Sequence, residues 1–197
     1  MNRKIIRLIS FIIFIILGIL VKNNLSSGLD LLVYNYIISF KSDILTNIFM
    51  VITYMGSTPF IMVLNIIVLM LILKIKKDYL YLLPINSLLS IIFNNIFKII
   101  FKRIRPSILV LLPESGYSYP SGHTMISVLF YGTLIILVSS SNIKYKKLIK
   151  LFLMLIILLI SISRVYLGVH YITDVIGGYL LATSIIVTKK EILKWKH

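Results

Sequence analysis

Six apolar runs, at about residues 5–21, 59–73, 79–101, 121–141, 148–163 and 170–188, constrain this chain more than any other feature. Each comes near the roughly 20 residues that an α-helix needs to cross the hydrocarbon core of a bilayer. Hydrocarbon offers no partner to backbone N–H and C=O groups, so a spanning segment of this length and apolarity is a helix, which satisfies those groups internally. The fifth run is short, but Lys150 can reach the headgroups along its own aliphatic stem and lets the span begin at about 147. The predicted fold is an all-α integral membrane protein, six transmembrane helices in one bundle, forming a single domain over residues 1–197. Between the first two spans, residues 28–56 read as an amphipathic stretch (Leu29, Leu31, Leu32, Tyr34, Tyr36, Ile37, Ile38, Phe40). A shorter apolar helix follows and ends at Gly56-Ser57-Thr58-Pro59. This stretch is expected at the interface, either re-entrant or leading into the second span.

Composition agrees: 59% of the 197 residues are hydrophobic and 14% charged, too apolar for a soluble domain. Twenty-one Lys and Arg against six Asp and Glu give a net charge of +15. In a soluble protein that excess would suggest nucleic acid. Here the bases sit in short connections between apolar runs, the pattern of orientation in a membrane. With six alternating spans, Arg3, Lys4, Arg7, Lys74, Lys76, Lys77, Lys144, Lys146, Lys147, Lys150, Lys189, Lys190, Lys194 and Lys196 all fall on one side, which is then cytoplasmic. The other side keeps Lys22, Lys41, Lys98, Lys102, Arg103, Arg105 and Arg164. Bases held against the orientation rule call for an anionic partner. Residues 1–21 also resemble a signal peptide in outline, but no small-x-small cleavage site follows, so they are taken as a span. The absence of cysteine excludes disulfides, thiolate metal sites and cysteine nucleophiles.

Three polar segments interrupt the apolar pattern. In Lys98-x6-Arg105-Pro106, a helix continued through Lys98 places Lys98, Lys102 and Arg105 on one face until Pro106 turns the chain. Taken alone, such a cluster is what basic residues flanking any span look like. In Pro120-Ser121-Gly122-His123, Ser121 is a natural N-cap, the first-turn amides are free for an anion, and His123 can present a proton to a leaving oxygen. In Ser163-Arg164-x5-His170-x3-Asp174, a carboxylate one turn from an imidazole can fix its tautomer and leave the other ring nitrogen free to attack. By the topology inferred from the loops, all three segments face the same side.

Together they resemble the three-part signature of the type 2 phosphatidic acid phosphatase superfamily, and every part matches without departure. The resemblance implies that Lys98, Arg105 and Arg164 bind a phosphate with Ser121 and the Gly122 amide. It further implies that His170 is the nucleophile, Asp174 its orienting base and His123 the acid for the leaving group. No metal or other cofactor is implied, and two histidines and an aspartate among several cations make a poor divalent-ion site. Lys102 and Arg103 lie outside the signature and are read as supporting charge. His170 must be neutral and His123 protonated, which predicts a bell-shaped pH–rate profile.

The expected activity is therefore that of a membrane lipid phosphatase with a phosphohistidine intermediate and a site on the extracytoplasmic face. Undecaprenyl diphosphate is the first choice of substrate by analogy with the family, with phosphatidylglycerophosphate and phosphatidic acid as alternatives. Two other readings differ in class. A phosphotransferase would pass the phosphoryl group to a second lipid, and an anion-binding scaffold or transporter would need a polar path through the bilayer. Asn65, Asn86, Ser87, Ser90, Asn94 and Asn95 are polar but cluster mainly in the third span, where helix packing is the expected role.

Overall fold

The computed structural model describes residues 3–72, 81–142, 144–186 and 188. They form eight helices: α1 (Arg3–Lys22), α2 (Ser27–Ile38), α3 (Asp43–Tyr54), α4 (Thr58–Ile72), α5 (Leu82–Phe101), α6 (Gly122–Ser139), α7 (Lys146–Tyr166) and α8 (Ile172–Ile185). No strand occurs among the described residues. Helices α1, α5, α6 and α7 are each long and apolar enough to cross a membrane, and the pair α2–α3, bent by 118°, makes at most one more span. The runs at 59–73 and 170–188 yield α4 and α8, of 15 and 14 residues. At 1.5 Å per residue these are about 22 and 21 Å long, against a hydrocarbon core of about 30 Å. By length, then, the described residues hold four or five spans where six were expected. Lys74, Lys76, Lys77, Lys189, Lys190, Lys194 and Lys196 lie outside the described residues.

Helix α6 is central, packed against α4, α5, α7 and α8, and α1 closes the bundle against α8 and α5. Outward-facing positions are aliphatic: Ile5, Leu8, Ile12, Ile16 and Ile19 on α1, Ile92, Ile96 and Ile99 on α5, and Leu148, Leu151, Leu155 and Leu158 on α7 are all exposed. Polar side chains turn inward and pair. Asn65 donates from Nδ2 to Ser87 Oγ at 2.9 Å, and Asn86 to Thr133 Oγ1 at 2.8 Å, tying α4 to α5 and α5 to α6. Those residues serve packing, as the sequence suggested.

Over residues 28–40 it is the more polar side of the helix that meets protein. Leu29, Leu31, Leu32 and Tyr36 of α2 are exposed, whereas Asp30 and Tyr34 are buried. The Tyr34 hydroxyl donates to the Leu109 carbonyl at 2.7 Å and accepts from the Leu109 amide at 3.0 Å. Next to hydrocarbon, burying a leucine gains little and an unpaired polar group costs several kcal/mol, so the polar face is the one that seeks protein.

Candidate active site

The first basic segment leaves its helix earlier than its spacing implied. Helix α5 ends at Phe101 because Lys102 adopts left-handed backbone angles (φ 49°, ψ 36°) and its amide closes the last turn on the Lys98 carbonyl. Helix geometry is lost there, before Pro106 is reached, so Lys98, Lys102 and Arg105 do not share a helical face. Lys98 and Arg105 instead reach one cavity from a helix end and from the following loop. Lys102 and Arg103 line a second cavity, which Arg105 also borders.

Helix α7 delivers Arg164 to the interior with no exposed surface. Its Nη1 donates to Thr53 Oγ1 of α3 at 2.5 Å, its Nη2 pairs with Glu114, and its Nε–H has no partner among the described residues. A buried cation with a free donor is poised for an anion. The chain then reverses through Gly168, whose φ of +71° suits glycine, and a Cβ there would lie 2.0 Å from the Leu109 carbonyl oxygen. That turn sets both the Val169 and His170 amides against the Arg164 carbonyl, each at 3.2 Å.

His170 lies in this connection, outside both helices, and is 1% exposed. Its Nδ1 is 3.5 Å from Asp174 Oδ2 and 3.2 Å from the Ser118 hydroxyl, while its Nε2 is 3.2 Å from Arg105 Nη1. Asp174 Oδ2 also accepts the Ser118 hydroxyl and, at 2.8 Å, the Tyr171 amide. An acceptor so placed assigns the proton to Nδ1 and leaves the Nε2 lone pair toward the cations. Burial pushes the imidazole pKa down to about 4, although the hydrogen bond and charge of Asp174 act in the opposite direction.

Pro120-Ser121-Gly122-His123 opens α6, and Ser121 occupies the N-cap position without capping. Its hydroxyl accepts from Thr124 Oγ1 at 3.2 Å, and its amide donates to the Asp174 carbonyl at 3.0 Å. Ser121 is fully buried, and its amide joins α6 to α8. Gly122 and His123 do line the cavity. A Cβ on Gly122 would approach Asn94 Oδ1 to 3.0 Å, so a neighbouring side chain already restricts this position.

The group that spacing did not single out is Glu114. Its carboxylate pairs with Arg164, with Arg105 Nη2 at 3.2 Å, and at 3.9 Å with His123 Nδ1. Burial alone would raise its pKa, but Arg164, the two histidines and Arg105 outweigh that and hold it at about 2. Lys98, Arg105 and Arg164 therefore face one carboxylate, leaving an excess of positive charge that suits a phosphate dianion. A hint was present, because Glu114 is the one acid between Lys98 and Asp174. Thr53 and Ser118 carried no such hint. The cavity holds about 370 Å³, and Thr58, Ser90, Asn94 and Asn95 give it polar walls beyond the cations. Asn94 also donates to the Pro120 carbonyl at 3.0 Å, tying α5 to the segment that opens α6.

Known proteins carry the same arrangement of chain. A model of the PAP2 superfamily matches residues 79–196. Phosphatidylglycerophosphatase B of Bacillus subtilis (strain 168) is 30% identical over 177 residues, 87% of this chain and 86% of that protein. An undecaprenyl-diphosphatase of Sulfolobus acidocaldarius is 33% identical over 123 residues, 59% of this chain and 56% of the other. Among solved structures, a transmembrane PAP2-type phosphatidylglycerolphosphate phosphatase from Bacillus subtilis superposes with a TM-score of 0.86 at 27% identity over 97% of each chain. Aquifex aeolicus LpxE gives 0.66 at 27% identity over 86% of this chain and 96% of its own. With the signature segments, the helical fold and these relatives in agreement, this membrane protein belongs to the PAP2 superfamily of lipid phosphatases.

Proposed function

We propose that this protein removes the terminal phosphate of a membrane lipid through a phosphohistidine at His170, without a metal ion. The observation that carries the reading is the orientation of His170, with Nδ1 backed by Asp174 and Nε2 turned to Arg105 inside a cation-lined cavity. Nε2 attacks phosphorus while the bond from phosphorus to the leaving oxygen breaks, and His123 gives that oxygen its proton. Lys98, Arg105, the Arg164 Nε–H and the Gly122 amide hold the equatorial oxygens, where phosphoryl transfer gains most of its catalysis. Water then attacks the phosphohistidine and yields its proton to His123, releasing inorganic phosphate and neutral His170.

For the substrate, the polar walls at Thr58, Ser90, Asn94 and Asn95 favour a hydroxylated or phosphodiester headgroup between tail and terminal phosphate. Phosphatidylglycerophosphate has that form, and the relative matched over most of its length is named for acting on it. Undecaprenyl diphosphate, whose prenyl tail joins the diphosphate directly, becomes the second reading, supported by the shorter match to an undecaprenyl-diphosphatase. The site is placed on the extracytoplasmic face, with α4 and α8 as short fifth and sixth spans, on the strength of the basic loops. Phosphate release by detergent-purified protein from both lipids and from phosphatidate, with chelator present, tests substrate and metal independence together. The expected order is phosphatidylglycerophosphate first, with free phosphate as product and no loss to chelator. A phosphorylated acceptor lipid in place of free phosphate would indicate phosphotransfer.

The pH dependence follows from His170. Only the neutral ring attacks, so kcat/KM falls as pH drops through the pKa near 4. Initial rates from pH 3.5 to 9 should place the acid limb near 4. An acid limb near the ordinary imidazole value of about 6.5 would mean that the nucleophile is not this buried ring.

A further inference from the structure

We infer that Arg103 and Asp30, neither of them in the three signature segments, form a buried positioning couple that fixes the Asp174 carboxylate and keeps negative charge behind His170. The inference rests on the reading of His170 as nucleophile. Arg103 bridges two acids: Nη1 donates to Asp174 Oδ1 at 2.6 Å and Nη2 to Asp30 Oδ2 at 2.5 Å. Nη1 also meets Thr173 Oγ1 at 2.7 Å, and the guanidinium carbon sits 4.2 Å from the centre of the Tyr171 ring. Asp30 is 1% exposed, and its Oδ1 accepts from the Thr173 amide at 3.1 Å and hydroxyl at 2.8 Å, while Ser26 donates to Oδ2 at 2.8 Å. The catalytic carboxylate thus has both oxygens engaged, Oδ2 on the side of His170 and Oδ1 on Arg103.

The charges explain why two residues are needed. A lone arginine on Asp174 would fix its plane but cancel its charge, leaving nothing to stabilise the cationic ring that forms when His170 is phosphorylated. Asp30 takes half of the arginine's fork and restores one net negative charge to the cluster. The cationic ring then balances it, in a site where water does not screen the interaction. This also gives residues 28–56 a task. Helix α2 supplies Asp30 to the Asp174 side of the site, and α3 supplies Thr53 to Arg164.

A plain structural clamp would make these residues matter for folding alone, so the test reads kcat per folded molecule on phosphatidylglycerophosphate in detergent micelles. Asp30→Asn should lower kcat about tenfold with KM within about twofold of wild type. Arg103→Met leaves two acids facing each other unbridged and should lower kcat about 100-fold. The double variant Asp30→Asn/Arg103→Met removes both charges and should be about tenfold faster than Arg103→Met alone. Wild-type kcat in Asp30→Asn, a loss confined to KM, or a double variant no faster than Arg103→Met would each overturn the inference. If Arg103→Met fails to fold, Asp30→Asn decides. His170→Ala, assayed in parallel, separates the two levels: if it retains turnover the nucleophile assignment fails. If it is inactive while Asp30→Asn matches wild type, only the present inference fails.

Discussion

Replacing His170 by alanine should abolish turnover, with kcat falling about 10⁴-fold or more, while the protein remains folded and still binds inorganic phosphate. The ring is 1% exposed, and its Nε2 faces Arg105 Nη1 at 3.2 Å. No cysteine exists to replace it. Asp174 would not be orphaned by the change, because Ser118, the Tyr171 amide and Arg103 still donate to it. The cost to folding is therefore that of a small polar cavity and not of an unpaired buried charge. Lys98, Arg105 and Arg164 stay in place, so the inhibition constant for free phosphate, read by competition or by thermal shift, should stay within a few-fold of wild type. Loss of phosphate binding along with turnover would show that the variant had lost the site and not only the nucleophile.

Arg164→Ala should be the second most damaging change, and it should affect activity and stability together. The guanidinium has no exposed surface, holds Thr53 and Glu114 through its two Nη groups, and presents an Nε–H with no partner among the described residues. Under the proposed mechanism it is a transition-state donor, for whose removal a fall of about 10²- to 10³-fold in kcat is expected. The substitution also leaves Glu114 with its closest cation missing, a loss of about 3 kcal/mol of stability. Lysine should not restore either property, because one ammonium cannot meet Thr53, Glu114 and a phosphate oxygen in the fork geometry of arginine. Kinetics and detergent-solubilised melting curves of Arg164→Ala and Arg164→Lys check this. A fully active lysine variant would mean that charge alone suffices and that the fork is incidental.

Several elements were legible before any coordinates. The long apolar runs of α1, α5, α6 and α7 define helices because a chain in hydrocarbon has few ways to satisfy its backbone. Lys98, Arg105, Gly122, His123, Arg164, His170 and Asp174 converge on one region as their spacing implied. Ser121 was legible as a helix start but its partners were not, the hydroxyl accepting from Thr124 and the amide donating to the Asp174 carbonyl. The shared face of Lys98, Lys102 and Arg105 was misread because a left-handed residue at 102 leaves no pattern in a run of bases.

The local order of residues was thus enough to establish membrane residence and helical class and to single out candidate reacting groups, because each follows from short-range spacing and the nature of the surrounding solvent. Partnership was settled elsewhere. Asp30 on Arg103, Thr53 and Glu114 on Arg164, and Ser118 between His170 and Asp174 are contacts between segments distant along the chain. In a buried interior the pairing of a polar group depends on which donors folding brings within about 3 Å. No periodicity along the backbone records that distance.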